Sequence, residues 1–268
     1  MPEDDIAAAE RTGMVSFIGA GPGDPELLTI KGRRLISEAA LVLYAGSLVP
    51  PEVVACAGDG VPCIDSAPLT LTECHALVRE AVSQGGDVAR VHTGDPSLFG
   101  ALREQIALLE KDGIRWQVVP GVTAACAAAA AAGVSFSVPE ITQSLIITRQ
   151  EGRTPMPERE RIARLASHGT SVAVYLSGRL AAALQAELLS GGVAPETPVL
   201  CAKQVGWPAQ ALVWTTVEKL ASCVEENALT RQTVFLILPG EARRGAQSRL
   251  YAPSFSHARR KSADEGSK

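Results

Sequence analysis

The chain is short of aromatic residues, closely paired cysteines, long apolar runs and excess charge of one sign, and each shortage removes a class of protein. Aromatics make up 4% of the 268 residues and do not gather near basic ones, which argues against a surface that stacks nucleic-acid bases. Net charge is −4 with acids and bases interspersed, so no broad field draws the chain to nucleic acid or to an anionic membrane. The six cysteines, Cys56, Cys63, Cys74, Cys126, Cys201 and Cys223, include no C-x-x-C pair. Zinc ligands usually come in close pairs and disulfide frameworks are denser, so free, buried thiols in a reducing cytoplasm are expected, with no metal site. The most apolar-looking run, Ala124 to Ala132, is too short to span a bilayer. Residues 1–12 are acidic and alanine-rich, with neither the basic nor the apolar region of a signal peptide. The cytoplasm is the expected location, and no repeat of fixed period is present.

What is there is an alternation of short apolar runs with longer amphipathic ones, the pattern of an α/β protein, over a length that suits two such domains. Strands are expected at Val15–Ile18, Ala40–Tyr44, Val88–His92 and Arg115–Val119. Helices are expected at Leu27–Glu38, Leu71–Val82, Leu98–Lys111 and Val122–Ala132, with Thr72 and Glu73 as capping-type residues in the second. Gly133 to Pro139 carries the expected domain junction. A second series follows, with strands at Leu145–Thr148, Ser171–Leu176, Pro198–Ala202, Leu212–Thr215 and Thr233–Leu238. Its helices fit Leu180–Leu189 and Thr216–Glu226, and the polar, proline-bearing stretch Arg149–Arg161 reads as a loop leading into a short helix. The domains expected are therefore 14–135 and 140–245. A disordered N-terminal segment 1–13 precedes them, and an extension 246–268 with a disordered end follows.

Three glycine- or proline-bearing loops follow strands of the first domain: Gly19–Pro25, Gly94–Pro96 and Pro120–Thr123. Ligands of open parallel sheets collect at the carboxyl ends of the strands, so the three loops are expected along one edge, forming a site from discontinuous segments. Gly19-Ala20-Gly21 invites comparison with a dinucleotide-binding turn, as in a nicotinamide-dependent dehydrogenase, but the match fails. Asp24 stands where the third glycine should be and would repel phosphate, and Pro22 removes a backbone N–H from the would-be cradle. The second strand ends in Tyr44-Ala45-Gly46-Ser47, with no acid placed to hold a ribose. A cofactor without phosphates, carrying a cationic centre that tolerates Asp95, suits these loops better.

The stretches Gly19 to Pro25 with Leu28-Thr29 and Lys31-Gly32, then Gly94-Asp95-Pro96, then Pro120-Gly121-Val122-Thr123, resemble in order and spacing the tetrapyrrole methylase family. The resemblance runs from about Met14 to Arg260. Within the family, Leu43 to Val49, Thr148 to Glu158, Gly206-Trp207-Pro208 and Ser248 to Tyr251 look like the branch that methylates carbon 11 of precorrin-4. The arginine-bearing loop and His92 to Pro96 look closest to the cobalt-precorrin-4 type. The resemblance implies two α/β domains with S-adenosylmethionine in the cleft between them, and a homodimer. Cofactor contacts carried over by position are Pro22, Thr93, Gly94, Asp95, Leu98, Thr123, Ala124, Leu176 and Val205. Val205-Gly206 and Ala209 depart from the family's usual alanine-threonine pair and following acid.

A tetrapyrrole precursor carries acetate and propionate groups, which call for guanidinium partners. Arg149, Arg153 and Arg159 are the candidates, with Lys31 and Arg179 behind them, and Tyr44 and Ser47 are candidates to line the substrate trough. His92 at a strand end reads as a satisfied structural histidine before a catalytic one, His75, His168 and His257 show no ligand-like grouping, and no residue is singled out as a catalytic base. Methylation of another precorrin carbon, and a diphthamide- or RNA-modifying relative of the same fold, are the nearer alternatives. A non-catalytic tetrapyrrole carrier would need the arginine loop but not the cofactor loops.

Overall fold

The computed structural model describes residues 13–242. The expectations for residues 1–12 and 243–268, including the stretch Ser248 to Tyr251 and the two terminal segments, lie outside the described residues, as does the side chain of Ser47. The chain forms two compact units. Among the described residues, one holds those up to Ala127 together with Gln204–Gln210, and the other holds Ala128–Lys203 and those from Ala211 on.

In the first unit the elements run β1 (Met14–Gly19), α1 (Ile30–Ser37), β2 (Leu41–Tyr44), α2 (Pro51–Val54), β3 (Cys63–Asp65), α3 (Leu71–Ser83), β4 (Val88–His92), α4 (Leu102–Lys111), β5 (Arg115–Val119) and the start of α5 (Ala124–Ala132). The sheet is parallel throughout, in the order β3-β2-β4-β1-β5. Strand side chains alternate between its faces and both faces are buried, as a parallel sheet requires. Val15, Phe17, Leu41, Leu43 and Val88 pack with Val78 of α3 and Leu109 of α4. Ile18, Val42, Ala89 and Val91 pack on the other side with Ile36 of α1 and Val53 of α2.

Helix starts differ from expectation, each for a local reason. The helix expected from Leu27 is a 3₁₀ turn over Pro25–Leu27 followed by α1, whose first turn is capped by the Thr29 hydroxyl accepting from the Gly32 N–H. The cap of α3 is Thr70 rather than Thr72. Thr70 and Glu73 exchange hydrogen bonds in a capping box, which also holds the Glu73 carboxyl below its ordinary range. α4 starts at Leu102 rather than Leu98, because Phe99 and Ala101 adopt left-handed backbone at φ +57° and +49°. β3 and α2 are too short to carry a periodic signal.

The second unit contains β6 (Leu145–Arg149), α6 (Ile162–Ala166), β7 (Ser171–Tyr175), α7 (Ala181–Ser190), β8 (Pro198–Lys203), β9 (Ala211–Thr216), α8 (Leu220–Glu226) and β10 (Thr233–Ile237). The expected helix Thr216–Glu226 opens as a 3₁₀ turn, Val217–Lys219, before α8. The sheet order is β6-β7-β10-β8-β9, with β6 parallel to β7 and the other pairs antiparallel. Phe235 of the central strand packs among Val174, Leu184, Leu188, Cys201 and Leu220.

All six cysteines are free, but only Cys74, Cys201 and Cys223 are buried; Cys63 and Cys126 are exposed and Cys56 is intermediate. Burial, reinforced by the neighbouring Cys223 thiol, pushes the Cys201 thiol well above the usual thiol range. No helix among the described residues is long and apolar enough to cross a membrane. Phe235 is wholly buried, so Phe235→Ala is expected to cost about 3–5 kcal/mol of unfolding free energy through lost burial and a residual cavity. Urea unfolding followed by circular dichroism measures it, and a loss below 1 kcal/mol would contradict this packing.

Candidate active site

β1, β4 and β5 are neighbours at the centre and edge of the first sheet, and their carboxyl ends lie level: Gly19 pairs with His92, and Ile18 with Val119. The three loops therefore leave the sheet side by side. The Ala20 N–H donates to the His92 carbonyl at 2.7 Å. Gly21 and Gly94 then exchange N–H···O bonds of 3.2 and 2.7 Å, an antiparallel bridge between the first loop and the second. A Cβ at Gly19 would come within 2.6 Å of both Gly121 Cα and the Gly94 carbonyl. Only glycine permits these backbones to approach so closely.

Asp95 fastens the second loop to the third. One carboxylate oxygen accepts from the Ser97 N–H at 2.8 Å and the other from the Gly121 N–H at 3.0 Å. Gly94 sits at φ +62° with no heavy atom nearer than 3.9 Å to the place its Cβ would fill. That leaves room beside Thr93, Thr123 and Ala124 for a ligand to approach the backbone. Thr93, Gly94, Asp95, Leu98, Thr123 and Ala124 thus share one cluster of loops.

The back of the first loop is closed by Gln204–Gln210. The Trp207 indole N–H donates to the Pro22 carbonyl at 3.0 Å, and a Cβ on Gly23 would lie 2.5 Å from the same nitrogen. Gly206, at φ +81°, passes so close that a Cβ there would sit 2.5 Å from the Asp24 nitrogen. This brings Val205, which is buried, into the same unit as Pro22. The sequence reads Trp207 as a structural or cleft-lining aromatic, and the structure gives it a specific partner, the first loop. Leu176 belongs to the second unit, where it follows β7, exposed and left-handed at φ +56°.

The loops make a poor phosphate site for reasons now visible in the hydrogen bonds. The Asp24 carboxylate itself accepts from the Glu26 N–H at 2.8 Å, so an acid occupies the start of the turn. The first turn of α1 already has Thr29 as its partner. An anion would meet a negative charge and an occupied helix end.

In the second unit, Arg149 at the end of β6 is spent on its own loop. Its guanidinium donates to the carbonyls of Gln150, Thr154 and Pro155, the shortest bond being 3.0 Å. Glu151 and Glu158 pair with Arg161, and Glu158 also with Arg164. Gln150 anchors the loop's start. Its N–H donates to Ser177 Oγ and its side chain to Glu187, whose other oxygen accepts from the Ala163 N–H of α6. Arg153 and Arg159 are exposed and pair with nothing among the described residues. They are the two arginines this loop presents; Arg149 shapes it. Lys31 and Arg179 are exposed as well.

His92 departs from the expected satisfied histidine. It is 5% exposed, packs with its ring 6.0 Å from that of Phe17, and has no partner for Nε2 among the described residues. Burial, reinforced by the nearby Arg90 charge, lowers its pKa to about 3, so it is neutral and a weak base. The unfolded chain takes up that proton near pH 6.5, so stability is lost as pH falls below 6.5 toward 3. The stability difference between wild type and His92→Gln is expected to shift by about 1–2 kcal/mol between pH 7 and 5, read by urea unfolding at each pH. A constant difference would show that His92 does not titrate in this way. For the loops, Gly121→Ala places a methyl against the Gly94 carbonyl. It is expected to abolish ligand binding at the loop cluster, measured by calorimetry, while circular dichroism stays native.

With this geometry in place, the relatives are informative. Residues 14–221 match the family model described as Tetrapyrrole (Corrin/Porphyrin) Methylases. The chain is 39% identical over 249 residues to a cobalt-precorrin-4 C(11)-methyltransferase of Priestia megaterium, covering 91% of this chain and 96% of that one. The X-ray structure of a cobalamin biosynthetic enzyme, cobalt precorrin-4 methyltransferase, superposes with a TM-score of 0.84 at 38% identity, covering 87% of this chain and 98% of that one. A uroporphyrin-III C-methyltransferase of Thermus thermophilus, solved in complex with S-adenosyl homocysteine, gives 0.71 at 26% identity over 88% of this chain and 96% of that one. A parallel sheet closed by three glycine loops, a second mixed sheet and a match of this extent lead to one assignment: the chain belongs to the tetrapyrrole methylase family.

Proposed function

We propose that the chain transfers a methyl group from S-adenosylmethionine to carbon 11 of cobalt-precorrin-4, or of its metal-free counterpart, in corrin-ring assembly. The observation that carries the methyl-donor half is the loop cluster: a glycine cradle open at Gly94 beside a turn whose own carboxylate excludes phosphate. The substrate half rests on likeness to the Priestia megaterium enzyme over nearly the full length of both chains. Two exposed, unpaired arginines suited to carboxylates support it.

When bound, the cofactor supplies an electrophilic methyl on a sulfonium centre. Thr93, Gly94, Asp95, Leu98, Thr123 and Ala124 are the residues that would hold it, with Pro22 and Val205 behind the first loop. Their task is orientation. In a direct displacement the ring carbon forms its bond to the methyl as the carbon–sulfur bond breaks, and no nucleophilic side chain is required. Alignment in such reactions supplies up to roughly 7–11 kcal/mol of the barrier. Asp95 serves this by fixing the second loop against the third, and Trp207 by fixing the first. Arg153 and Arg159 would bind peripheral carboxylates of the tetrapyrrole, and Arg149 would keep their loop in shape. His92 is not a base for the reaction, being enclosed and neutral.

Incubation with cobalt-precorrin-4 or precorrin-4 and methyl-labelled S-adenosylmethionine is expected to yield a product labelled at carbon 11, located by NMR. Label at a different carbon would replace the substrate assignment, and no label with either substrate would overturn it. Arg153→Ala is expected to raise the tetrapyrrole KM by about tenfold, the loss of one charge-assisted contact, while leaving S-adenosylhomocysteine affinity within twofold. Equal losses in both would make Arg153 a structural residue instead.

A further inference from the structure

We infer that Arg90, at the centre of β4 and inside the first unit, is a positioning residue that holds the end of the Gly94–Ala101 loop and the end of β2 in a single hydrogen-bonded chain. The inference rests on the methyl-transfer reading above and deepens it.

The chain of bonds is continuous. Arg90 Nε donates to the side-chain oxygen Oε1 of Gln105 at 2.9 Å, and one terminal nitrogen donates to Ser66 Oγ at 2.9 Å. From Gln105 on α4, the amide nitrogen donates to the Ala101 carbonyl at 2.9 Å and to that of Gly100 at 3.4 Å. From Ser66, the hydroxyl and the backbone N–H both donate to the Tyr44 carbonyl, at 2.8 and 2.9 Å. A guanidinium only donates, and this sets the direction of every other bond. Gln105 must turn its oxygen inward and its NH₂ toward the loop, and Ser66 must spend its proton on Tyr44. A neutral side chain at residue 90 would leave the amide free to flip and the hydroxyl free to rotate.

The loop end needs such a constraint. Phe99 and Ala101 both hold left-handed backbone, which is unfavourable for residues with a Cβ and persists only where the surroundings enforce it. Between them, Gly100 packs so that a Cβ would lie 3.1 Å from His92 Nδ1 and would collide with the Pro96 carbonyl. Asp95 fixes the start of this loop and Gln105 its end, and the Gln105 amide is in turn aimed by Arg90. The side chain of Ala101 offers no cap for α4, and the Gln105 amide bonds the Ala101 carbonyl at this helix start.

Arg90 fits no simpler role. It pairs with no carboxylate among the described residues, so a solvated or ion-paired cation is not what the strand presents. Even half-burying a guanidinium against neutral partners is costly, and an apolar residue would fill the same place more cheaply. The cavity bordered by Arg90, Gln105, His75 and Cys74 measures about 20 Å³, room for a single water and not for an organic ligand. Its bonds lead instead to two loops at the carboxyl edge of the sheet, one carrying Gly94 and Asp95 and the other Tyr44.

The test compares wild type, Arg90→Met, Gln105→Ala and the double variant by calorimetric titration with S-adenosylhomocysteine and by steady-state methyl transfer. A positioning role predicts that each single variant weakens S-adenosylhomocysteine binding about tenfold and lowers kcat by ten- to a hundredfold, the scale of a small misplacement. The double variant should be no worse than Arg90→Met, because both substitutions cut one chain. Arg90→Lys, with a charge but no fork, should remain impaired. Unchanged affinity and kcat with only a lower melting temperature would overturn the inference, as would losses that add. Should Arg90→Met not fold, Gln105→Ala decides, since substituting that partly exposed helix residue leaves the Arg90 cation in place. Wild type that fails to bind S-adenosylhomocysteine would sink the reading on which this rests; normal wild-type binding with unaffected variants would sink the positioning role alone.

Discussion

The close approach of backbone at Gly19, Gly94 and Gly121 is the constraint on which the rest of the site depends. A side chain at Gly19 or Gly121 would separate the loops, because each faces the backbone of a neighbour rather than a side chain that can move aside; Gly94 contributes the carbonyl that both approach, and its own Cβ position stays open. Once they touch, the Gly21–Gly94 bridge and the Asp95–Gly121 bond follow from geometry, and the loops behave as one rigid surface. Rigidity suits a displacement reaction, where the protein's contribution is alignment and exclusion more than proton transfer. It also explains why titratable groups are scarce there: Asp95 has both oxygens occupied by backbone, and His92 is neutral.

Much of this was readable before any coordinates. β1, β4 and β5, with their loops, stood out because apolar runs ended in glycine or proline at matching phases. What escaped was set by tertiary context. Phenylalanine and alanine give no sign that residues 99 and 101 are left-handed, so α4 was expected a turn early. The capping box has a sign in the sequence, Thr70 three residues before Glu73: Glu73 is the expected capping residue, whereas its partner is Thr70 and not Thr72, which lies inside the helix. Arg90 could have been noticed as a lone charge between Ala89 and Val91 in an otherwise apolar strand. Its partners, Ser66 and Gln105, could not, because they come from elements far apart in the chain.

The arginine loop shows how residue type alone can mislead about role. Arg149, Arg153 and Arg159 look equivalent in the sequence, yet Arg149 is bound to three carbonyls of its own loop while the other two face outward unpaired. The acids explain the division. Glu151 and Glu158 are taken up by Arg161 and Arg164, which pins both sides of the loop, and Arg153 and Arg159 take no part in these pairs. A surface with two exposed guanidinium groups outside any ion pair, in an acidic protein, favours small anionic partners over extended polyanions.

The discontinuity of the first unit bears on how the chain acquires its fold. Trp207 reaches Pro22 across 185 positions of sequence, and the segment that carries it is separated from the rest of its unit by β6, β7 and β8. During synthesis, everything up to Ala127 emerges from the ribosome well before that segment. At about 5–20 residues per second, the interval is on the order of ten seconds. Throughout it the first loop lacks its back wall, and the nascent first unit resembles a truncated protein more than a finished domain. Completion of the loop cluster is thereby tied to synthesis of the following β-hairpin, so a ribosome that stalls between residues 127 and 204 releases a chain with a parallel sheet but without the closed loop beside it.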